Sequence, residues 1–254
     1  MKKEDKELIY DLLKKTDAYV TGFTAQAFAS PVSFEDDKEL EQKAALRQAQ
    51  EPQTNEAQEP QAQPSTDGLS LEDLKEKILR CTKCPLARTR NNVVPGEGVE
   101  HPDVLVIGEG PGYDEDMSGR PFVGKAGVLL DKMLAAISLD RNKNCYIANV
   151  VKCRPPNNRD PEPAEQSACS GFLEAQIHIL KPKMILCMGR IAGHKMLDTQ
   201  APLGQMRAQL HDYNGIPLMI TYHPSALLRD ESLKGPAWQD LKAFRKKLDE
   251  LTGK

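Results

Sequence analysis

Residues 104–112 read VLVIGEGPG, an apolar run that stops on glycines at 108, 110 and 112. An unbroken apolar run before a glycine turn reads as a buried strand, and alternate glycines let backbone N–H groups approach a ligand closely. Three further runs have the same β-rich character: Tyr146 to Val151, Met184 to Met188 and Leu218 to Tyr222. Between them Gly127 to Ile137, Glu162 to Leu180 and Ile191 to Leu197 read as helices. Pro236 opens a last helix with Trp238, Leu241, Phe244 and Leu248 on its inward face. Strands and helices in alternation predict a three-layer α/β/α sandwich around a parallel-centred, four-stranded sheet. Ligands of such sheets sit beyond the carboxyl ends of the strands. That rule singles out the turn after Ile107, the end of the strand containing Asn149, and the turn after Tyr222.

Outward from this block, order begins at Ser70, a predicted N-cap for a helix carrying Leu71, Leu74, Ile78 and Leu79 on one face and ending before Cys81. Lys2 to Tyr19 has apolar residues at helical spacing and reads as a short amphipathic helix. From about residue 35 to 67 the chain is polar and Gln/Glu/Pro-rich, with the near-repeat QAQEPQ (48–53) and EAQEPQ (56–61). Such a segment cannot bury enough apolar surface to offset its ordering entropy, which predicts a disordered tether. The expected division is a tail over 1–69 and one folded domain over 70–254.

The net charge of −3 argues against a nucleic-acid partner only while the chain is read as a whole. Residues 1–70 hold 8 Lys/Arg against 14 Asp/Glu, and residues 71–254 hold 26 against 23. The folded part is mildly basic, which permits contact with a phosphate backbone. No stretch reaches the roughly 18 apolar residues of a membrane helix, and the charged N-terminus does not lead into an apolar core. A soluble, cytoplasmic monomer without membrane contact is expected.

Six cysteines in a chain without an export signal point to metal or buried thiols rather than disulfides. Cys81 and Cys84 form a C-x2-C pair, Cys153 follows after 68 intervening residues, and Cys169 after 15 more. A structural zinc site usually closes with a second short-spaced pair, whereas ligands of an iron–sulfur cluster reach different corners of a larger body. Spacing alone leaves zinc and cluster both open. Cys145 and Cys187 lie inside apolar strands and read as core.

The turn after Ile107 brings Glu109, Glu115 and Asp116 close in sequence to the glycines, a composition suited to handling water or protons. As a dinucleotide fingerprint it fails, because the third glycine would fall on Tyr113 and no helix is expected to open there. His223, at another strand end, is a candidate for stabilising an anion on the same sheet edge. Leu227, Leu228 and Arg229 follow it. They suit a wedge into stacked bases with a phosphate contact, or equally the start of a core helix.

The C-x2-C pair, GEGPGYDEDMSGRPFVGKAG (108–127), NVVKCRPPNNRDP (149–161) and HPSALLR (223–229) together resemble the family-four, iron–sulfur uracil-DNA glycosylases over roughly residues 70–250. The resemblance implies a DNA-repair hydrolase that flips uracil out of single- or double-stranded DNA and cleaves its N-glycosidic bond. It implies a structural 4Fe-4S cluster on Cys81, Cys84, Cys153 and Cys169. Phe122 would stack on the flipped base, Asn149 would read its polar edge, and His223 would support O2 of the leaving uracil. Glu109 falls in the water-handling motif, and Glu115 is placed to exclude the methyl group of thymine. Gly110 stands where the better-known glycosylase family has its water-activating aspartate, which leaves the base open among Glu109, Glu115 and a backbone-held water. Leu227 and Arg229 would contact DNA. A non-catalytic iron–sulfur DNA-binding protein on the same scaffold is the alternative, and a replication or repair partner for the tail remains an expectation without a motif.

Overall fold

The structure, a computed structural model, describes residues 68–253. The helix expected over Lys2 to Tyr19 and the tether over 35–67 lie outside the described residues. Ser70 caps α1 (Leu71–Leu79): its Oγ accepts from Asp73 N–H, and the Asp73 carboxylate accepts from Ser70 N–H in return. Leu74 and Ile78 are buried, whereas Leu79 turns outward.

Four strands form the parallel centre of the sheet: β2 (Val104–Gly108), β3 (Cys145–Asn149), β4 (Met184–Met188) and β6 (Ile216–Thr221). Two short antiparallel strands extend the expected four to six. β1 (Glu97–Gly98) pairs with β3, and β5 (Leu210–Tyr213) pairs with β6. The order across the sheet is β1-β3-β2-β4-β6-β5. Every residue of β2, β3 and β4 is buried, as expected of strands covered on both faces.

Alternate side chains sort the core into two layers. Leu105 and Ile107 of β2 pack with α1, α4 (Pro163–Leu180) and α5 (Arg190–Leu197). Val104 and Val106 pack on the opposite face with α3 (Lys125–Ala135), Leu227 of α7 (Pro224–Arg229) and α8 (Lys234–Thr252). The α6 turn (Leu203–Met206) precedes β5.

Three expectations are corrected. A helix does open at Tyr113: α2 (Tyr113–Ser118) starts directly after the glycine turn, with Asp114, Glu115 and Asp116 in its first turn favoured by the helix dipole. Trp238 is not part of the inward face of α8; it is 41% exposed, with the Lys242 ammonium 6.0 Å from its ring centroid. Leu227 is 2% exposed and sits in the core, so it presents no wedge to DNA, while its neighbour Leu228 is exposed.

Candidate active site

The carboxyl ends of β2, β3, β4 and β6 open into a cleft of about 470 Å³. Its walls include Glu109, Gly110, Glu115, Phe122, Asn149, His223 and Arg229. Seven of the expected site residues therefore share one cavity. Gly108 and Asn149 are register partners across β2 and β3, and a Cβ at Gly108 would overlap both Asn149 Oδ1 and the Phe122 ring. The glycine is required there by close approach. Gly110 is similarly tight, since a Cβ would lie 2.7 Å from Val151 Cγ2.

Asn149 is 2% exposed, and among the described residues its Oδ1 is the one buried side-chain oxygen or nitrogen without a hydrogen-bond partner. A buried acceptor left unmade is costly, so its persistence in a cleft points to a donor supplied by a ligand. Phe122 lies beside it, buried, with its backbone at φ 52°. That left-handed conformation is strained for a bulky residue and is held from several sides. Arg141 donates to the carbonyls of Pro121 (2.9 Å) and Phe122 (3.0 Å), and its guanidinium is in turn fixed by Asp131 at 2.7 Å.

The His223 ring stands 5.6 Å from the Phe122 ring at an interplanar angle of 33°. Its Nδ1 accepts from Ser225 N–H at 3.1 Å, which leaves Nε2 as the proton-bearing nitrogen of a neutral ring. Burial, followed by the Arg229 charge, lowers its pKa to about 4. The ring therefore stays neutral near pH 7 and offers a donor. Glu109 is shifted the other way. Burial first, then the negative charge of Asp160, raises its pKa to about 7, against the opposing pull of Arg190 and Arg229.

The three carboxylates of the glycine segment separate in space. Glu115 lines the cleft, but both its oxygens are committed: Oε2 accepts from Gly112 N–H (3.0 Å), and Oε1 from Val123 N–H (2.9 Å) and Gly124 N–H (3.0 Å). It brackets the glycine turn to the Phe122 loop. Asp116 is fully buried away from the cleft and accepts from Asn91 N–H, Asn91 Nδ2 and Asn92 N–H. Glu109 alone remains as a carboxylate poised to exchange a proton. Sequence reasoning missed Asp160 and Arg190, paired at 2.5 Å on the cleft wall. The signal was available, because Gly189-Arg190 follows β4 just as the other site residues follow their strands.

Cys81, Cys84, Cys153 and Cys169 line a second, small and largely apolar cavity on the α1/α4 face. All four are free thiols, as are Cys145 and Cys187, which are buried within β3 and β4. Arg90 Nη1 donates to Cys153 Sγ at 3.1 Å and the Lys83 N–H to Cys81 Sγ at 3.5 Å. Among the described residues no three His, Cys, Asp or Glu side chains group so as to hold a metal ion, although the four cysteines line this one cavity.

A mixed sheet with a strand-end cleft of this kind defines an α/β protein with a ligand site at the carboxyl ends of its strands, and residues 95–242 match the family model of the uracil DNA glycosylase superfamily. The chain is 39% identical to the type-4 uracil-DNA glycosylase of Archaeoglobus fulgidus, over 73% of this chain and 94% of that protein. It is 42% identical to the type-4 enzyme of Pyrobaculum aerophilum (69% and 93% covered) and 46% identical to that of Thermotoga maritima (64% and 85%). The chain belongs to the type-4 uracil-DNA glycosylase family.

Proposed function

We propose that residues 70–254 form a DNA-repair glycosylase domain that takes uracil out of the DNA stack and hydrolyses its N-glycosidic bond, leaving an abasic site. The observation that carries this reading is the unpartnered, buried Oδ1 of Asn149 in the cleft beside Phe122. Uracil N3–H supplies the missing donor, and the Asn149 amide N–H can in turn donate to O4. Cytosine reverses both groups and would leave them unpaired. Phe122, already fixed in position, offers its ring for stacking on the extruded base, which offsets part of the unstacking cost. Glu115, rigidly bracketed by three N–H donors, supplies a fixed wall against which the C5 methyl of thymine would collide.

When the bond between uracil N1 and the sugar breaks, its electron pair moves onto the base and the sugar gains oxocarbenium character. A neutral Nε2–H of His223 directed at O2 is stronger in that transition state than in the ground state. Ionised Glu109 accepts the proton of the water that attacks the sugar carbon, and its nearby charge favours the cationic sugar. Arg190 and Arg229 at the cleft wall suit contact with phosphates, and exposed Leu228 takes over the wedge role assigned to Leu227.

The residues around the second cavity fit a 4Fe-4S cluster: four thiols spread around one space, with N–H donors on two of the sulfurs. Bound there, the cluster would supply structural cross-linking outside the cleft, whose lining contains no cysteine. Release of uracil from a single-uracil duplex, scored as abasic sites by strand breakage in alkali, tests the activity. Native protein should release it and His223→Ala should lose most of the rate; no release by cluster-loaded native protein would favour a non-catalytic DNA-binding role.

A further inference from the structure

Lys152 is 1% exposed and lies between the two sites, three residues after Asn149 and one before Cys153. Its Nζ donates to the backbone carbonyl of Asn149 at 2.8 Å and to Gln176 Oε1 at 2.6 Å. Gln176, itself buried on α4, donates onward to the Pro95 carbonyl at 2.7 Å. All of these partners are neutral, and among the described residues no carboxylate pairs with the ammonium. A lysine buried without a counter-charge is costly, so the missing anion calls for an explanation.

Lys152 lines the cavity of the four sulfurs, together with Arg90. The one carboxylate among the described residues of that lining, Glu165, is committed to the Arg159 guanidinium at 2.7 and 2.8 Å. Three cations, with Lys83 beside Arg90 and Lys152, four cysteines and no free acid make a cavity suited to an anionic occupant. Four thiolates around an iron–sulfur core leave a net negative charge, which meets that requirement.

We propose that Lys152 is the internal counter-charge of the cluster site and the positioning residue that ties this site to the Asn149 backbone. The inference rests on the cluster reading above. An ammonium beside the cavity favours the more reduced, more negative state of its occupant. Loss of that charge moves the midpoint potential to more negative values. Loss of the bond to the Asn149 carbonyl loosens the strand end from which the uracil-reading amide projects, raising KM for uracil-containing DNA more than it lowers kcat.

The test compares holoprotein of native sequence with Lys152→Met, Lys152→Arg and Gln176→Glu. A colourless native protein overturns the cluster reading itself. With coloured native protein, a redox titration followed by visible absorbance should give Lys152→Met a more negative midpoint and a severalfold higher KM, with Lys152→Arg closer to native in both. Gln176→Glu sets a carboxylate beside the ammonium, and its midpoint should shift in the same direction. It decides the matter if Lys152→Met does not accumulate as folded protein. A native-like midpoint in either neutralising variant would overturn the role of Lys152 while leaving the cluster in place.

Discussion

In the proposed role of Asn149 a single amide separates uracil from cytosine. An unmade buried hydrogen bond is worth about 1–3 kcal/mol, so reading both N3–H and O4 supplies discrimination of several decades. Asn149→Asp replaces the donor by an acceptor that suits the cytosine amino group; the ratio of uracil to cytosine release should fall at least about tenfold. Unchanged selectivity would remove Asn149 from the reading role. With Glu109 as the proposed base, its carboxyl sets the pH dependence. Burial and Asp160 hold its carboxyl protonated up to about pH 7, and only the ionised form accepts the proton from water. The rate should therefore fall as pH drops below about 7, while His223, with its pKa near 4, remains neutral through that window. In Asp160→Asn the repulsion disappears and Arg190 is released, so the acid limb of the profile should move to lower pH. In Glu109→Gln the limb should vanish along with most of the rate. Asn149, Glu109 and His223 were singled out in sequence because each stands at or just after the end of an apolar strand. Arg190 was overlooked although it also follows a strand, and the partners of Glu115 are backbone N–H groups, which carry no sequence signature, while Asp116 accepts from two backbone N–H groups and the Asn91 side-chain amide some 25 positions away.

The elements of the sheet centre were readable for a simple reason: strands buried on both faces are continuous apolar runs. The edge strands were not, since β1 has two residues and β5 is LHDY, half polar. A turn signal for β5 did exist. Asn214 and Gly215 both have positive φ and form the tight connection to β6, the Asn-Gly pattern expected of a hairpin. Helix α7 settles an ambiguity that sequence left open, because the helical turn after His223 rotates Leu227 into the core and Leu228 out. The first turn of α3 bears directly on the position of Phe122. A Cβ on Gly127 would overlap the Phe122 carbonyl, the same oxygen that Arg141 holds. Gly127→Ala must therefore push the Phe122 loop out of its left-handed conformation. Uracil release should drop by about tenfold or more through a raised KM, whereas Ala at the open Gly204 should leave it near native. Equal effects of the two substitutions would show that the Phe122 backbone is not what positions the base.

On the scale of the whole molecule, the four cysteines of the second cavity come from two parts of the described chain that are distant in sequence. Cys81 and Cys84 flank the exit from α1, while Cys153 follows β3 and Cys169 lies on α4. α1 also packs on α4 through Leu74 and Ile78, so the α1 segment is held by apolar burial as well as by whatever the thiols bind. The proposed cluster would cross-link the chain across the 68 residues between Cys84 and Cys153 and so restrain the unfolded state. By loop-closure entropy alone that cross-link would contribute about 4 kcal/mol, equivalent to roughly 10 °C in Tm for a domain of this size. Cys84→Ser should therefore lose the visible absorbance and melt at a lower temperature by that order, with the segment around residues 71–90 becoming the first site of limited proteolysis. None of the residues lining the cleft is a cysteine, so uracil release by the variant should persist at temperatures well below its lowered Tm. A variant that keeps the native Tm yet releases no uracil at any temperature would contradict the structural role and place the bound group in the chemistry of the cleft.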